Sequence, residues 1–513
     1  MKRTSLTTAV IAGLAGVAGI SNMANAVYLN GDGLGQVLIY PYYTVRNGNS
    51  TALTVVNTTN AGKAVKVRFL EGYNSREVLD FNLYMSPHDV WVAQIVPVGS
   101  GAGIYTPDNS CTVPPLPHTS AAAFPFSSYG YDGHYASIPA DGGPTSIDRT
   151  KEGYLEMIEM GTVTNANYNS LNAITHNLNG VPPGCQQVND AWTSNSANPY
   201  WLINNSFDIT AASGGLFGSG TVVNVPLGTI EGYNAEAVDN FWLAGSFFHS
   251  DPGSLLPALY TGDSLTSYVY TATATSGAGA AVIGTVYSAL AADRASPVTS
   301  LFMADTLYNE YWTSTGNFKV DSEWVITFPT KRFFVDAYSA GGPVPRKPFD
   351  VAFNKTVGTN GVAGSSCSTI GVGFFDREEQ HPGLAPGNIC PSPIQCGPVV
   401  LPTQLCYEVN TVTWNQPQPA AYKASTILGS NLAVDIETGY TNGWASLDMT
   451  NGASAQRQLT SQASQNVFNG LPGAGFWVTQ FVNGNLGGVL ANYTSLYRHK
   501  LHRACTRAAG VCS

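Results

Sequence analysis

An alternation of apolar and polar residues near the N-terminus is the feature that most constrains the fold. It runs through residues 53–57 and 65–69, with the turn Thr58-Thr59-Asn60-Ala61-Gly62 between them. Lys66 and Arg68 occupy the polar positions of the second segment. A repeat of two residues places successive side chains on opposite faces of a strand. The pattern therefore predicts antiparallel strands with one face in the core and the other in water.

Segments of strand length recur along the chain, at residues 37–42, 90–96, 154–160, 216–226, 369–375, 407–414 and 475–497. Ser296-Pro297 is typical of a helix start, and the apolar residues after it predict a helix over 297–309. Residues 323–328 and 333–338 predict a hairpin. We expect a mainly β chain of immunoglobulin-like β-sandwich domains, with long loops and a few short helices.

Export is predicted from the first residues. Lys2 and Arg3, an apolar run over 7–20 and the tripeptide Ala24-Asn25-Ala26 together predict a signal peptide over 1–26. The protein would then be secreted to the extracellular face of the cell envelope. No other stretch approaches the roughly 18 apolar residues that a membrane-spanning helix needs, so no transmembrane segment is expected.

The length of the remaining chain predicts about three domains. Their boundaries are placed in loop-rich regions. We expect an N-terminal β-sandwich with a long loop over 27–150, a central β-rich domain containing the helix over 151–345, and a C-terminal β-rich, disulfide-stapled domain with a basic tail over 346–513.

The chain carries few charges. Charged residues make up 11% of it, against roughly 25% in average soluble proteins. The signal peptide holds two bases and no acid, so removing it leaves 33 acids and 21 bases, a net charge of −12. This acidic balance disfavours nucleic acid as a partner, because phosphate is repelled. A weakly charged exterior also allows copies of the chain to pack together, which favours self-assembly.

Eight cysteines in an exported chain predict disulfide bonds. Eight cysteines allow about 105 pairings, and spatial geometry decides among them. Separation along the chain favours the pairs Cys505–Cys512, Cys390–Cys396, Cys367–Cys406 and Cys111–Cys185.

Two segments are candidate binding sites. Asn30 and Asp32 lie in the oxygen-rich run Asn30-Gly31-Asp32-Gly33, which would permit calcium although it lacks a complete calcium-loop pattern; an ordinary turn is the alternative. The basic tail would allow contact with lipopolysaccharide phosphates or surface glycans, or would be a solvated terminus. Its candidate anchoring residues are Arg498, Lys500, Arg503 and Arg507.

Catalytic motifs are absent from the sequence. It contains no Gly-x-Ser-x-Gly elbow, no His-Glu-x-x-His helix and no phosphate-binding loop. His249-Ser250-Asp251 is interpreted as a polar turn. His499 and His502 beside Cys505 have residue types that bind zinc or copper, but a disulfide competes for the sulfur. We expect neither a catalytic centre nor a cofactor other than calcium.

Four segments resemble the abundant secreted surface-layer proteins of gammaproteobacteria: residues 37–43, 65–72, 324–331 and 489–493. The resemblance implies a two-dimensional lattice of identical copies on the outer membrane, often dependent on calcium. The first functional hypothesis is therefore a self-assembling structural protein of a surface layer or extracellular matrix. The alternatives are an adhesin or carbohydrate-binding protein that uses exposed Tyr and Trp, and a secreted hydrolase with a spatially assembled site.

Overall fold

The chain is mainly β, as predicted. The computed structural model describes residues 25–271, 281–290, 293–314, 319–353, 364–381, 401–416, 425–452, 457–507 and 510–512. Nearly all of the predicted signal peptide over 1–26, together with Cys390 and Cys396, lies outside the described residues. None of the helices that the structure describes is long and apolar enough to cross a membrane.

The strands up to residue 286 form a first sandwich of two sheets. They are β1 Ala26–Leu29, β2 Val37–Thr44, β3 Asn49–Asn57, β4 Gly62–Glu71, β5 Glu77–Met85, β6 Val90–Val98, β7 Gly101–Tyr105, β8 Cys111–Val113, β9 Phe124–Pro125, β10 Glu152–Val163, β11 Ile209–Thr210, β12 Leu216–Asn224, β13 Thr229–Asn234, β14 Glu236–Asp239, β15 Thr266–Thr271 and β16 Ala281–Val286.

One sheet has ten strands in the order β16-β15-β1-β14-β2-β10-β4-β5-β8, with β11 paired to β10. The other has six strands in the order β13-β12-β3-β6-β7-β9. Between the sheets, Phe81 on β5 and Trp91 on β6 make a ring contact at 5.9 Å. Because β10 lies between β2 and β4, strands from both sides of residue 150 share the ten-stranded sheet.

The later strands form a second sandwich with smaller accessory sheets. They are β17 Met303–Ala304, β18 Thr306–Trp312, β19 Val320–Thr327, β20 Ser368–Asp376, β21 Leu401–Leu405, β22 Val409–Trp414, β23 Ala433–Ile436, β24 Asn442–Asp448, β25 Gln458–Thr460, β26 Asn466–Asn469, β27 Leu471–Pro472, β28 Ala474–Leu486, β29 Val489–Arg498, β30 Lys500–His502, β31 Cys505–Arg507 and β32 Gly510–Val511.

The second sandwich pairs two five-stranded sheets, β21-β20-β24-β18-β30 and β23-β22-β19-β28-β29. Tyr311 on β18 stacks on Trp414 of β22 with ring centroids 4.9 Å apart, which joins the two sheets. Tyr233 of β13 stacks on Phe476 of β28 at 5.2 Å. One continuous hydrophobic cluster therefore runs through both sandwiches.

The helices are short: α1 Ser170–Ile174, α2 Cys185–Ala191, α3 Tyr200–Ile203, α4 Ser296–Phe302, α5 Arg332–Val335 and α6 Ala337–Ala340, with 3-10 turns at Ser120–Ala122 and Ile147–Lys151.

Two predicted elements require correction. The helix predicted over 297–309 begins as expected but ends at Phe302, and residues 306–312 form β18 instead. In β18, buried Leu307 and Tyr311 alternate with exposed residues, and both neighbours β24 and β30 supply backbone hydrogen bonds. The predicted hairpin has only its first strand, because residues 333–338 fall in α5 and α6.

The water-facing side predicted for Lys66 and Arg68 is instead buried. Lys66 Nζ bonds the carboxylate of Asp80 at 3.0 Å and the carbonyl of Asp251 at 2.8 Å. Arg68 Nε donates to Glu77 at 2.7 Å, and Arg68 Nη1 donates to the carbonyl of Pro257 at 3.5 Å. The connection after β14 thus covers this face of the sheet, and paired carboxylates make its burial tolerable.

Three of the predicted disulfide bonds form: Cys111–Cys185, Cys367–Cys406 and Cys505–Cys512. The first ties β8 to the start of α2, and the last closes the chain end on β31.

Candidate functional site: an uncharged sheet face and a basic groove

The outer face of the six-stranded sheet carries no charged side chain on its four longest neighbouring strands, all of which the structure describes in full. Inward and outward positions alternate strictly along β3 and β12. We call the outward set the uncharged face; it comprises Ser50, Ala52, Thr54 and Val56 of β3, Val90, Val92, Gln94 and Val96 of β6, Phe217, Ser219, Thr221 and Val223 of β12, and Ile230, Gly232 and Asn234 of β13.

Cross-strand register places these residues side by side on one surface. Thr54 lies between Val92 and Ser219, and the Thr54 and Ser219 hydroxyls are 2.9 Å apart. On the inner side, Gly218 and Gly220 leave room for the rings of Tyr40 and Tyr233, with which any Cβ there would collide. This packing holds β12 flat against the core and turns its polar, uncharged residues outward.

The exposed apolar residues of the uncharged face are Ile230 at 62%, Val90 at 47% and Phe217 at 42%. Burial of such residues against another surface is favourable in proportion to the apolar area removed from water. A partner would also bury no charge there, so no ion would lose its hydration. The face can therefore take part in a dry contact without a compensating ion pair.

A basic groove of about 880 Å³ lies between the β1 and β15 part of the ten-stranded sheet and the segment 498–503, which includes β30. We define it by three cations, Arg498, Lys500 and Arg503, and by the tyrosines Tyr28, Tyr268 and Tyr270.

The two arginines of the basic groove are held by fixed partners. Arg498 Nη2 pairs with Glu236 Oε2 at 2.6 Å, although the arginine side chain is 60% exposed. Arg503 donates to the carbonyls of Leu301 at 2.8 Å and Met303 at 3.1 Å, at the end of α4. Carbonyls at a helix C-terminus are a favourable place for a cation. Lys500 is exposed and, among the described residues, makes no ion pair.

The charge of the basic groove is positive at neutral pH. Burial, reinforced by the nearby Arg498, lowers the pKa of Arg503 to about 10, so this guanidinium stays charged. Burial raises the pKa of Glu236, an effect that Arg498 and Arg503 oppose. Three cations thus face a single carboxylate, and an anionic ligand would meet a net attraction.

The tyrosines form the aromatic side of the basic groove. Tyr28 and Tyr268 are direct partners of the parallel pair β1 and β15, so their side chains share a face, and Tyr270 follows two residues later on that face. Tyr270 is 62% exposed. The buried residues Val269 and Ile283 point the opposite way, into the core. A ligand in the basic groove would therefore meet cations on one side and rings on the other.

The predicted anchoring residues converge in part. Arg498, Lys500 and Arg503 line the basic groove, whereas Arg507 lies on β31 beside a separate shallow pocket. The segment is an ordered part of the sheets, because β29, β30 and β31 pair with β28, β18 and β26.

The calcium candidates lie in a turn at the edge of the basic groove. Asn30 Oδ1 accepts from the backbone N–H of Asp32 at 3.0 Å, and Asn30 Nδ2 donates to the carbonyl of Leu34 at 2.7 Å. The Asn30 side chain is thus occupied by its own turn. Within the described ranges, no group of three or more His, Cys, Asp or Glu residues could hold a metal ion.

The histidines considered from the sequence are used structurally. His499 is buried against the carbonyl of Val325 at 2.9 Å, and burial lowers its pKa to about 4. His502 Nδ1 lies 2.8 Å from Asp305, and Cys505 is in a disulfide. His249 is fully buried, which lowers its pKa to about 3. These neutral or paired rings are not arranged as a metal centre.

Comparison of the chain with protein-family models, with curated proteins and with solved structures gave no match. Both the uncharged face and the groove tyrosines were missed from the sequence. The alternation Tyr268-Val269-Tyr270 was a usable strand signal, and the absence of charge over residues 49–57 and 216–224 could have pointed to the face.

Proposed function

We propose that this chain is an exported structural protein of the cell surface, of the surface-layer kind, whose copies assemble through the uncharged face. The observation that carries the proposal is the absence of charge from the outward positions of β3, β6, β12 and β13. An ordinary solvated sheet face carries Lys, Glu or Arg at such positions, and these residues prevent association.

The dimensions of the uncharged face suit a second copy of the chain. Nine residues at about 3.3 Å each and four strands at about 4.8 Å give a flat area of roughly 600 Å². Each partner of a standard interface buries about 800 Å² of accessible surface, which a flat area of this size provides once side chains are included. When two copies meet through this same face they form a twofold-symmetric pair, and the contact needs no complementary charge because neither face carries one.

Placing one charge on the uncharged face should weaken assembly. We expect the chain without its signal peptide to grow in size with concentration in sedimentation velocity and light scattering, measured with and without calcium. Thr221→Lys should weaken association at least about tenfold, because two like charges would meet in the interface. Lysine can extend along the surface, so the fold should be retained.

Thr460→Lys is the matched control, since Thr460 is an exposed strand threonine in another sheet. It should assemble like the unchanged chain. A chain that remains monomeric at high concentration, with and without calcium, would contradict the proposal.

A second function is favoured by the basic groove: attachment to an anionic glycan, such as the phosphorylated part of lipopolysaccharide. Three cations and three tyrosines around about 880 Å³ match a ligand that has phosphate groups and sugar rings. The acidic balance of the chain makes this local positive charge unusual, which supports a selective role for it.

Reversing one groove charge should weaken this attachment. For Lys500→Glu we expect at least about tenfold weaker binding of phosphorylated lipopolysaccharide in calorimetry, because a charge-assisted hydrogen bond contributes about 1.5–3 kcal/mol. Dephosphorylated lipopolysaccharide should bind weakly to both proteins. Lys319→Glu, at an exposed lysine outside the basic groove, is the control. Equal binding by Lys500→Glu and Lys319→Glu would exclude the groove as the attachment site.

A further inference from the structure

A second cavity, of about 590 Å³, opens on the side of the first sandwich that the connection after β14 covers. Its floor is β5, one wall is the segment 124–138, and the opposite wall is formed by residues 253–260 together with α5 and α6. We call it the β5 cleft. It shares no lining residue with the basic groove and none with the uncharged face.

Two carboxylates lie on the floor of the β5 cleft with acceptor capacity unused. Glu77 Oε2 accepts from Arg68 Nε at 2.7 Å, and Asp80 Oδ2 accepts from Lys66 Nζ at 3.0 Å. The second oxygen of each carboxylate has no hydrogen-bond partner in the described part of the chain, and the side chains are 11% and 13% exposed. These two oxygens are therefore open to a ligand in the cleft.

The charges around the β5 cleft balance one another. Arg68 pairs with Glu77 and Lys66 with Asp80. The remaining two cations of the wall and floor are also paired, at distances of 3.0 and 2.9 Å between charged atoms: Arg76 with Asp336 and Arg332 with Glu156. Lys66, Glu156 and Asp336 do not line the cleft themselves, but with these partners four cations balance four carboxylates, so the cleft and its ion pairs together carry no net formal charge. This distinguishes it from the basic groove.

Tyrosine side chains line both walls of the β5 cleft. Tyr129 and Tyr135 are 43% and 48% exposed and make an edge-to-face contact at 5.4 Å. His134 stacks on Tyr129 at 3.9 Å and steadies the pair. Tyr260 and Tyr338 line the opposite side. Flat aromatic surfaces of this kind pack against the C–H faces of a ring ligand, while their hydroxyls remain in water.

These features together select one class of ligand. An anion would be repelled by the open oxygens of Glu77 and Asp80, and a cation would find both carboxylates already neutralised by Arg68 and Lys66. A purely apolar ligand would bury the open oxygens without hydrogen bonds, which is costly. A neutral ligand with many hydroxyls and an apolar ring face satisfies both the carboxylates and the tyrosines.

We propose that the β5 cleft binds a neutral saccharide, whose hydroxyls donate to Glu77 and Asp80 and whose ring packs on Tyr129 and Tyr135. Burial and the adjacent Glu77 raise the pKa of Asp80, an effect that Lys66 and Arg68 oppose. The site goes beyond the proposed function, because neither assembly nor attachment to phosphate uses it.

The test is binding of neutral oligosaccharides on a glycan array, followed by calorimetry with the best binder at a concentration where the chain is monomeric. We expect saturable binding that weakens about tenfold in Tyr129→Ala and in Tyr135→Ala. Tyr493→Ala, at a tyrosine that is 63% exposed on β29, should bind like the unchanged chain. Asp80→Asn should also weaken binding, and the tyrosine variants keep the test valid if this buried substitution impairs folding.

Three results would overturn the proposal: no binding of any neutral saccharide, binding restricted to acidic saccharides, or equal binding by Tyr129→Ala and Tyr493→Ala. None of these results bears on the Thr221→Lys or Lys500→Glu experiments, since neutral saccharides lack the phosphate groups that the basic groove would hold. Failure of the saccharide site and failure of the proposed function are therefore distinguishable.

Discussion

Arg149→Met is expected to destabilise the protein by about 3–5 kcal/mol, because it leaves two buried carboxylates without their cation. Arg149 donates from Nη2 to Glu71 Oε1 at 2.8 Å and from Nη1 to Asp141 Oδ1 at 3.0 Å. All three side chains are 0% exposed. The guanidinium also lies 4.3 Å from the ring centre of Tyr131 and 5.0 Å from that of Tyr73.

The loss of stability would also affect the turn that Glu71 holds. Glu71 also accepts the backbone N–H groups of Tyr73, Asn74 and Arg76, and so shapes the turn between β4 and β5. A Glu71 carboxylate without Arg149 is expected to draw in water, which weakens the turn. The effect should therefore appear as a lower unfolding free energy with a cooperative transition.

Urea unfolding followed by circular dichroism would measure the change. The control is Lys151→Met. Lys151 pairs with Asp148 at 2.8 Å, but the two side chains are 24% and 39% exposed. An exposed pair contributes only about 0–1 kcal/mol, so the control should remain close to the unchanged chain. A similarly small loss for Arg149→Met would show that the buried triad does not stabilise the fold.

Glu408 is expected to make the protein less stable as the pH rises. Its side chain is fully buried, accepts from Ser75 Oγ at 2.9 Å, and leaves Oε1 without a partner among the described residues. Burial raises its pKa to about 8, against 4.5 for an ordinary glutamate. The folded state therefore holds the proton more tightly than the unfolded state. The stabilisation that the bound proton gives the folded state is fully present below about pH 4.5, and it is lost as the pH rises toward 8.

Glu408→Gln should remove this pH dependence, because the amide resembles the protonated carboxyl at every pH. At about pH 5 we expect the variant to lie within about 1 kcal/mol of the unchanged chain. At about pH 9 it should be more stable by a few kcal/mol, since one unit of pKa corresponds to about 1.4 kcal/mol. Unfolding at both pH values is the measurement, with the exposed Glu378→Gln as control. Parallel pH profiles for the three proteins would contradict the assignment to Glu408.

Local sequence pattern predicted individual strands well. The alternation over 53–57 corresponds to β3, whose buried and partly exposed positions alternate without exception. The same reasoning was wrong about the surroundings of Lys66, because alternation reports only which side of a strand is polar. Whether another segment covers that side depends on residues such as Asp251, 185 positions away. Local pattern carries no information on such coverage.

The candidate sites show the same limit. The basic residues at 498–503 were visible in the sequence as a charged tail, but the groove that they line also depends on the parallel pairing of β1 with β15, where Tyr28 meets Tyr268. No repeat or spacing in the sequence links these two strands. For α4, Pro297 correctly indicated where the helix starts. Where the helix ends depends on the pairing of residues 306–312 with neighbouring strands, which the local sequence does not show.

The position of β10 between β2 and β4 has a consequence for how the chain acquires its structure. β2 and β4 are separated by only a few residues from β3, yet neither can complete its backbone hydrogen bonds until Glu152–Val163 arrives. β1 forms its backbone hydrogen bonds later still, because its partner strands lie near residues 239 and 268. Such high contact order slows folding, because long loops must close before the pairing stabilises them. The ten-stranded sheet should therefore stay incomplete, and β1 open to proteases, until about a hundred residues beyond β10 have emerged.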